Sequence, residues 1–221
     1  MEDNKDMTDG KIVTSEVTET DLKKIHKDLR FIDLMTKLAK AKGCRLIVSG
    51  GYAVDGNLDR ITRPHGDIDI QIFGQGGESE QIIKELVTKV KEDESSLSDM
   101  EVRDKGRQEY YHSFLAKGNR LGSDIYYVQV TENPFGTEKH VVKEDGTITE
   151  RQEYETEEVN LEGVTFEAIS PAPELVDKLY KREVRGNEPK SKHDQDIVNL
   201  RLITDAKEVE IRLAEMKILQ K

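Results

Sequence analysis

The chain has 221 residues, a formal net charge of −11, a hydrophobic fraction of 35% and a charged fraction of 36%, a length that suits one large domain or two small ones in tight contact. The acidic balance makes nucleic acid an unlikely partner, because unspecific binding needs a cationic surface to displace counterions; it leaves room for a local basic pocket and attracts cationic small molecules such as an aminated sugar. Cys44 stands alone, so no intrachain disulfide can form, and with neither a signal-peptide pattern in Met1–Thr20 nor an apolar run near the roughly 20 residues of a bilayer span, no membrane contact and a cytoplasmic location are expected.

Residues 1–19 are polar and read as a flexible leader. Leu22, Ile25, Leu29, Ile32, Met35 and Leu38 recur at helical spacing, which predicts an amphipathic helix over 21–42 with Thr20 as its cap and Gly43 as its stop. Arg45–Ser49 reads as a strand that Gly50-Gly51 breaks, and a second helix follows from Tyr52 to Leu58. Asp67–Phe73 alternates polar and apolar residues at strand period, and a helix is expected over 78–92. Strands are expected at 101–105, 109–116 and 124–131, with a turn at Asn133–Gly136. A polar, irregular stretch then runs to about residue 160 with a hairpin candidate at 144–147. Val164–Ile169 is a further strand, and helices are expected over 173–185, 192–203 and 206–219. The interleaving implies an α/β (α+β) core with a small C-terminal helical region, divided as 1–19, 20–170 and 171–221.

The pattern that carries chemistry is Ser49-Gly50-Gly51 followed, after fifteen residues, by Asp67-Ile68-Asp69. Aspartates two apart on a strand project from one face and repel unless a cation lies between them. Magnesium fits, because it works with few carboxylates plus substrate phosphates. The glycines serve another need: where a strand turns into a helix, bare backbone N–H groups at the helix's positive end let phosphate oxygens approach closely. Ser49 adds a hydroxyl donor. Either element alone is more often a plain turn or a solvated strand face; together they describe phosphoryl transfer. Arg63, in the loop before the aspartates, offers a planar fork of donors to phosphate. His65 is expected to order that loop, since magnesium prefers oxygen ligands. The histidines show no zinc-ligand spacing.

Gly50-Gly51-Tyr52-Ala53-Val54-Asp55 through Thr62-Arg63-Pro64-His65-Gly66-Asp67-Ile68-Asp69 resembles the signature of the aminoglycoside and lincosamide nucleotidyltransferases, within the DNA polymerase β-like superfamily. The family commonly has Trp where this chain has Tyr52. The resemblance implies a nucleotidyltransferase fold with a mixed central sheet flanked by helices. It implies transfer of a nucleoside monophosphate, AMP from ATP or its equivalent from another nucleoside triphosphate, to a hydroxyl of a small acceptor, with pyrophosphate released. One or two magnesium ions would be held by Asp67 and Asp69. It also implies a third carboxylate, for which Asp124 in Asp124-Ile125-Tyr126-Tyr127-Val128 is the match, as metal ligand or as base. Tyr126 stands where the family often has His. Near the end, Lys192-His193-Asp194-Gln195-Asp196 resembles the family's closing Lys-Asp-x-x-Asp helix. There Lys192 would reach a phosphate and Asp194 or Asp196 would organise Arg63 or the acceptor, although a solvated face is the plainer expectation for Asp196. An aminoglycoside or lincosamide acceptor, and so antibiotic resistance, follows from the resemblance alone, as does a homodimer. Two alternatives keep less of it: a toxin-type enzyme modifying RNA or protein, and a catalytically silent nucleotide-binding module.

Overall fold

The structure, a computed structural model, describes residues 11–73, 84–85, 88–89, 92, 101–107, 112–120, 124–133, 138–142, 148–153, 155–183 and 191–218. Helix α1 (Glu19–Ala41) opens the described fold. Its cap is Thr18 rather than Thr20, for a local reason. Asp21 lies three residues beyond Thr18, so the Thr18 hydroxyl accepts the Asp21 N–H at 3.2 Å while the Asp21 carboxylate accepts the Thr18 N–H at 3.0 Å. Thr20 is followed at that distance by Lys23, which cannot reciprocate. Gly43, at φ +71, ends the helix as expected.

Strand β1 (Arg45–Ser49) runs directly into α2 (Gly50–Asn57), and β2 (Ile68–Phe73) returns antiparallel beside β1. Strands β3 (Glu101–Arg107), β4 (His112–Arg120) and β5 (Asp124–Asn133) form an antiparallel meander, and β5 lies parallel to β2. On the other side β1 pairs in parallel with β9 (Val164–Ile169), which pairs antiparallel with β8 (Thr156–Leu161). The result is a mixed seven-stranded sheet in the order β3-β4-β5-β2-β1-β9-β8. A separate ribbon joins β6 (Glu138–Val142) and β7 (Ile148–Glu153), on either side of the expected hairpin. Strand β8 replaces part of the stretch expected to be irregular. It is an edge strand turned from β9 by Glu162-Gly163, both at positive φ, so its polar alternation reflects one solvated side. The helix expected over 78–92 falls largely outside the described residues.

Helices α3 (Pro171–Glu183), α4 (Ser191–Arg201) and α5 (Ala206–Ile218) close the chain. Two apolar clusters share α2. Tyr52 and Ala53 join Ile25, Phe31, Met35, Val48, Ile70 and Phe166, whereas Val54 and Leu58 join Leu175, Leu179, Ile197 and Leu200 of α3 and α4. The helix that leaves the glycine pair is thus fixed from both sides. Ahead of α1, within the segment expected to be flexible, the Val13 N–H donates to Asn199 Oδ1 at 2.7 Å and the Ser15 N–H to the Thr62 carbonyl at 2.8 Å. Among the described residues no helix is long and apolar enough to cross a membrane.

Candidate functional site

The site gathers where β1 turns into α2. Ser49 ends β1 as the register partner of Asp69 and makes no capping bond to the helix it precedes. Gly50 sits at φ +70, in the left-handed region that side chains disfavour. A Cβ there would collide with Asp69 Oδ2 and lie 3.3 Å from its Cγ. A Cβ at Gly51 would collide with the His65 ring, 2.7 Å from Cε1, and lie 2.9 Å from Arg63 Nη2. The glycines were expected to clear space for phosphate; the atoms nearest the missing side chains belong to the protein itself. Asp69, His65 and Arg63 converge on this turn because nothing stands in their way.

The loop between α2 and β2 is set by buried polar partners. The Thr62 N–H and hydroxyl donate to Asp55 Oδ1 at 3.2 and 2.6 Å, and His65 Nε2 lies 2.7 Å from Asp55 Oδ2. A carboxylate only accepts, so Nε2 carries the proton. His65 also packs on Tyr52, ring centroids 4.3 Å apart, and the Tyr52 hydroxyl donates to buried Asp28. His65 orders the loop, as its sequence context suggested.

Arg63 is 6% exposed. Its Nε and Nη2 donate to the two oxygens of Asp196 at 2.9 and 2.8 Å, and its Nη1 donates to the Pro64 carbonyl at 3.1 Å. Asp196 is itself fully buried and also accepts from Lys178 at 3.0 Å, so the solvated face expected for it is corrected. It organises Arg63. Burial alone raises the Asp196 carboxyl, but the hydrogen bonds and charges of Arg63 and Lys178 outweigh it and hold the group below the ordinary range. Asp194 pairs instead with Arg182 at 3.0 Å, both half-exposed.

Asp67 is exposed, Asp69 half-buried and hydrogen-bonded or charge-paired within the chain. Lys192, at the start of α4, brings its Nζ to 3.8 Å from Asp67 Oδ1. Among the described residues, α4 therefore brings the half-exposed Lys192 to Asp67. Asp124 is not brought level with them. Ile68 pairs with Val128 and Asp69 with Gln129, which leaves Asp124 four residues upstream of Val128 on the parallel strand, about 13 Å away at the usual rise per residue. Among the described residues no three His, Cys, Asp or Glu side chains form a metal-ligating group. The oxygen donors of Asp67 and Asp69 are of the kind that suits magnesium, which takes its remaining ligands from substrate phosphates and water.

The residues that sequence reasoning passed over are Asp28, Asp55, Glu174 and Lys178. Each carried a usable signal: a charge on the apolar side of a helical pattern, as Asp28 is between Ile25 and Leu29 and Glu174 is beside Leu175.

A family profile for aminoglycoside-2''-adenylyltransferase matches residues 30–200. The crystal structure of ANT(2'')-Ia in complex with adenylyl-2''-tobramycin aligns at a TM-score of 0.58 and 21% identity, covering 88% of this chain and 99% of that one. The solution structure of the antibiotic-resistance factor ANT(2'')-Ia aligns at 0.57 and 21% identity, covering 87% and 92%. At that identity the likeness is one of fold. No curated protein matches the sequence.

Proposed function

The chain belongs to the aminoglycoside-2''-adenylyltransferase family and is a nucleotidyltransferase, and from that premise we propose that it transfers AMP from ATP to a hydroxyl of an aminoglycoside-like acceptor. The observation that carries this reading is the convergence of Asp69, His65 and Arg63 on a side-chain-free turn at the start of α2, with Asp67 and Lys192 beside it. The helix start offers backbone N–H groups to phosphate oxygens. Asp67 and Asp69 would hold one or two magnesium ions, whose chemistry is to neutralise the charge that builds on the transferring phosphoryl group. Lys192 would pair with the outer phosphates. His65 and Asp196 hold the loop and Arg63 in place.

The acceptor oxygen attacks the α-phosphorus as the bond to the β-phosphate breaks, pyrophosphate leaves with both of its bonding electrons, and the hydroxyl proton passes to water. Asp124 begins β5 four residues upstream of Val128, the register partner of Ile68, and we assign it no step. A net charge of −11 favours a polycationic acceptor in a long-range field.

The test is pyrophosphate release with each of the four ribonucleoside triphosphates and magnesium, against a panel of aminoglycosides, lincosamides and simple sugars. Release with ATP and an aminoglycoside, lost in Asp69→Asn at unchanged melting temperature, is the expected outcome. Undiminished release in that variant would remove the aspartate pair from the reaction.

A further inference from the structure

Thr62, fully buried in the loop just ahead of Arg63, has its polar groups committed to three different parts of the fold. Its N–H and hydroxyl donate to Asp55 of α2. Its carbonyl accepts the Ser15 N–H at 2.8 Å and Gln195 Nε2 of α4 at 2.9 Å. Gln195 also joins α4 to the segment ahead of α1: Nε2 donates to the Val13 carbonyl at 3.0 Å, and Oε1 accepts the Ser15 hydroxyl at 2.6 Å. One turn further along α4, Asn199 accepts the Val13 N–H at 2.7 Å and donates to the Val13 carbonyl at 2.8 Å. Residues 12–17 are thus a strap, with Ile12 packed on the cluster of α3 and α4 and Val17 on that of α1 and the sheet. The family profile starts at residue 30, so the strap lies ahead of the match while Thr62, Gln195 and Asn199 lie within it.

The spacing on α4 shows what the strap acts on. Lys192, Gln195, Asp196 and Asn199 follow one another at i, i+3, i+4 and i+7, which puts them on one face of the helix. Lys192 meets Asp67, and Asp196 meets Arg63, both on the stretch that Thr62 leads into. Those two contacts run through side chains at both ends. Gln195 is the member of the four that bonds the loop's backbone, so it fixes where the loop runs against α4. A side-chain amide suits this place, because it donates to carbonyls and accepts a hydroxyl without adding charge beside the aspartates.

Resting on the nucleotidyltransferase reading of this site, we propose that Gln195 is a positioning residue of the nucleotide site. With Ser15 of the strap it grips the Thr62 carbonyl from two sides and holds the loop of Arg63 and Asp67 in register with Lys192. Its loss lets the loop and α4 move independently, so Lys192 no longer waits where the phosphates arrive. Binding then weakens in ground and transition states alike, which raises the KM for ATP and leaves kcat nearly unchanged.

The test compares Gln195→Ala, Ser15→Pro, Ser15→Ala and Arg212→Met in the full-length protein. Two quantities are read: hydrogen exchange of the Arg63 Nε–H, which donates to Asp196, by NMR without nucleotide, and ATP affinity by calorimetry with magnesium. Gln195→Ala takes the amide from Thr62, Val13 and Ser15 together, so exchange should quicken and affinity fall, each about tenfold. Ser15→Pro removes the other donor to the Thr62 carbonyl and should move both in the same direction by about fivefold. Ser15→Ala keeps that N–H and should stay within about twofold of wild type. Arg212→Met cuts the bridge to Glu155 and Glu208, a loss of stability that should leave both quantities at their wild-type values. Wild-type affinity or wild-type Arg63 exchange in folded Gln195→Ala overturns the proposal, as does an equal shift in Arg212→Met. If Gln195→Ala does not fold, Ser15→Pro carries the test, and a Ser15→Pro protein that behaves as Ser15→Ala overturns the proposal. Exchange is read without nucleotide and affinity without acceptor, so a wild type that binds ATP and transfers nothing defeats the proposed transfer alone.

Discussion

Asp196→Asn is the most informative single change, because Asp196 carries three charge-assisted hydrogen bonds in a site closed to water. Its carboxylate receives Arg63 at 2.9 and 2.8 Å and Lys178 at 3.0 Å. An asparagine keeps one acceptor oxygen and turns an N–H₂ group towards a cation, which leaves two buried positive groups short of a partner. Breaking a buried pair from one side costs about 3–5 kcal/mol, far above the ~0–1 kcal/mol of an exposed pair. At roughly 2–4 °C per kcal/mol for a domain of this size, melting should fall by about 6–20 °C. Urea unfolding monitored by far-UV circular dichroism gives the free energy directly. The pH dependence has a defined sign. The folded Asp196 carboxyl lies below its unfolded value, so its contribution is present above the ordinary aspartate range, about pH 4, and fades as pH falls through the lower folded value. The stability gap between wild type and Asp196→Asn should therefore narrow in acid. Arg63→Met combined with Asp196→Leu should recover part of the loss, since a packed apolar pair replaces one buried ion pair while Lys178 keeps only Glu174. A loss under about 1 kcal/mol for Asp196→Asn would show that the pair behaves as a surface contact and would refute the reasoning.

Gly50→Ala should lower transfer by about a hundredfold or more, because its Cβ must displace Asp69 and displacements of this order carry such penalties. It should also cost about 1–3 kcal/mol through the left-handed backbone; steady-state kinetics beside thermal melting separates the two effects. Asp124→Asn should leave magnesium-dependent ATP affinity within about threefold of wild type, since the register keeps it from Asp67 and Asp69. Calorimetry checks this, and a tenfold loss would mean that β5 pairs in a different register. Lys192→Met should weaken ATP binding without changing the melting temperature by more than about 2 °C, because its contact with Asp67 is long and solvated.

Much of the fold was legible because it rests on local rules. The apolar stripe of α1, the strand into Gly50-Gly51 and the alternation of Asp67–Phe73 all state their conformation within a few residues. The position of the aspartates was nearly legible for the same reason, although β2 starts at Ile68 and so holds Asp69 with Asp67 just before it. What escaped is non-local. Asp196 looks like a helix-surface residue until Arg63, 133 positions away in sequence, is folded against it. Glu174 and Lys178 pass for an ordinary (i, i+4) surface pair unless their place beside Leu175 and Leu179 is weighed, and the packing of α3 on α2 makes them interior. Strand β8 escaped because an edge strand needs apolar residues on one side only, and its neighbour β9 held the stronger signal. The third carboxylate shows the limit in the other direction. Asp124 fits the motif, yet only the pairing of Ile68 with Val128 reveals how far along β5 it starts.

The buried ion pairs also change where positive charge for a triphosphate must come from. Arg63 and Lys192 are the two candidates the sequence offers, yet Arg63 Nε and Nη2 are committed to Asp196 and its Nη1 to the Pro64 carbonyl. Lys178 is likewise divided between Glu174 and Asp196. These two cations and two carboxylates cancel, so the network rigidifies the turn without offering it net charge. Asp67 and Asp69 add charge of the same sign as a phosphate tail. Lys192, half-exposed and only loosely held by Asp67, is the cation the described site leaves free to move towards a ligand. One lysine cannot balance two carboxylates and a triphosphate. Among the described residues that shortfall of positive charge supports the proposed divalent cation, and the site's arginine belongs to the architecture around the glycines.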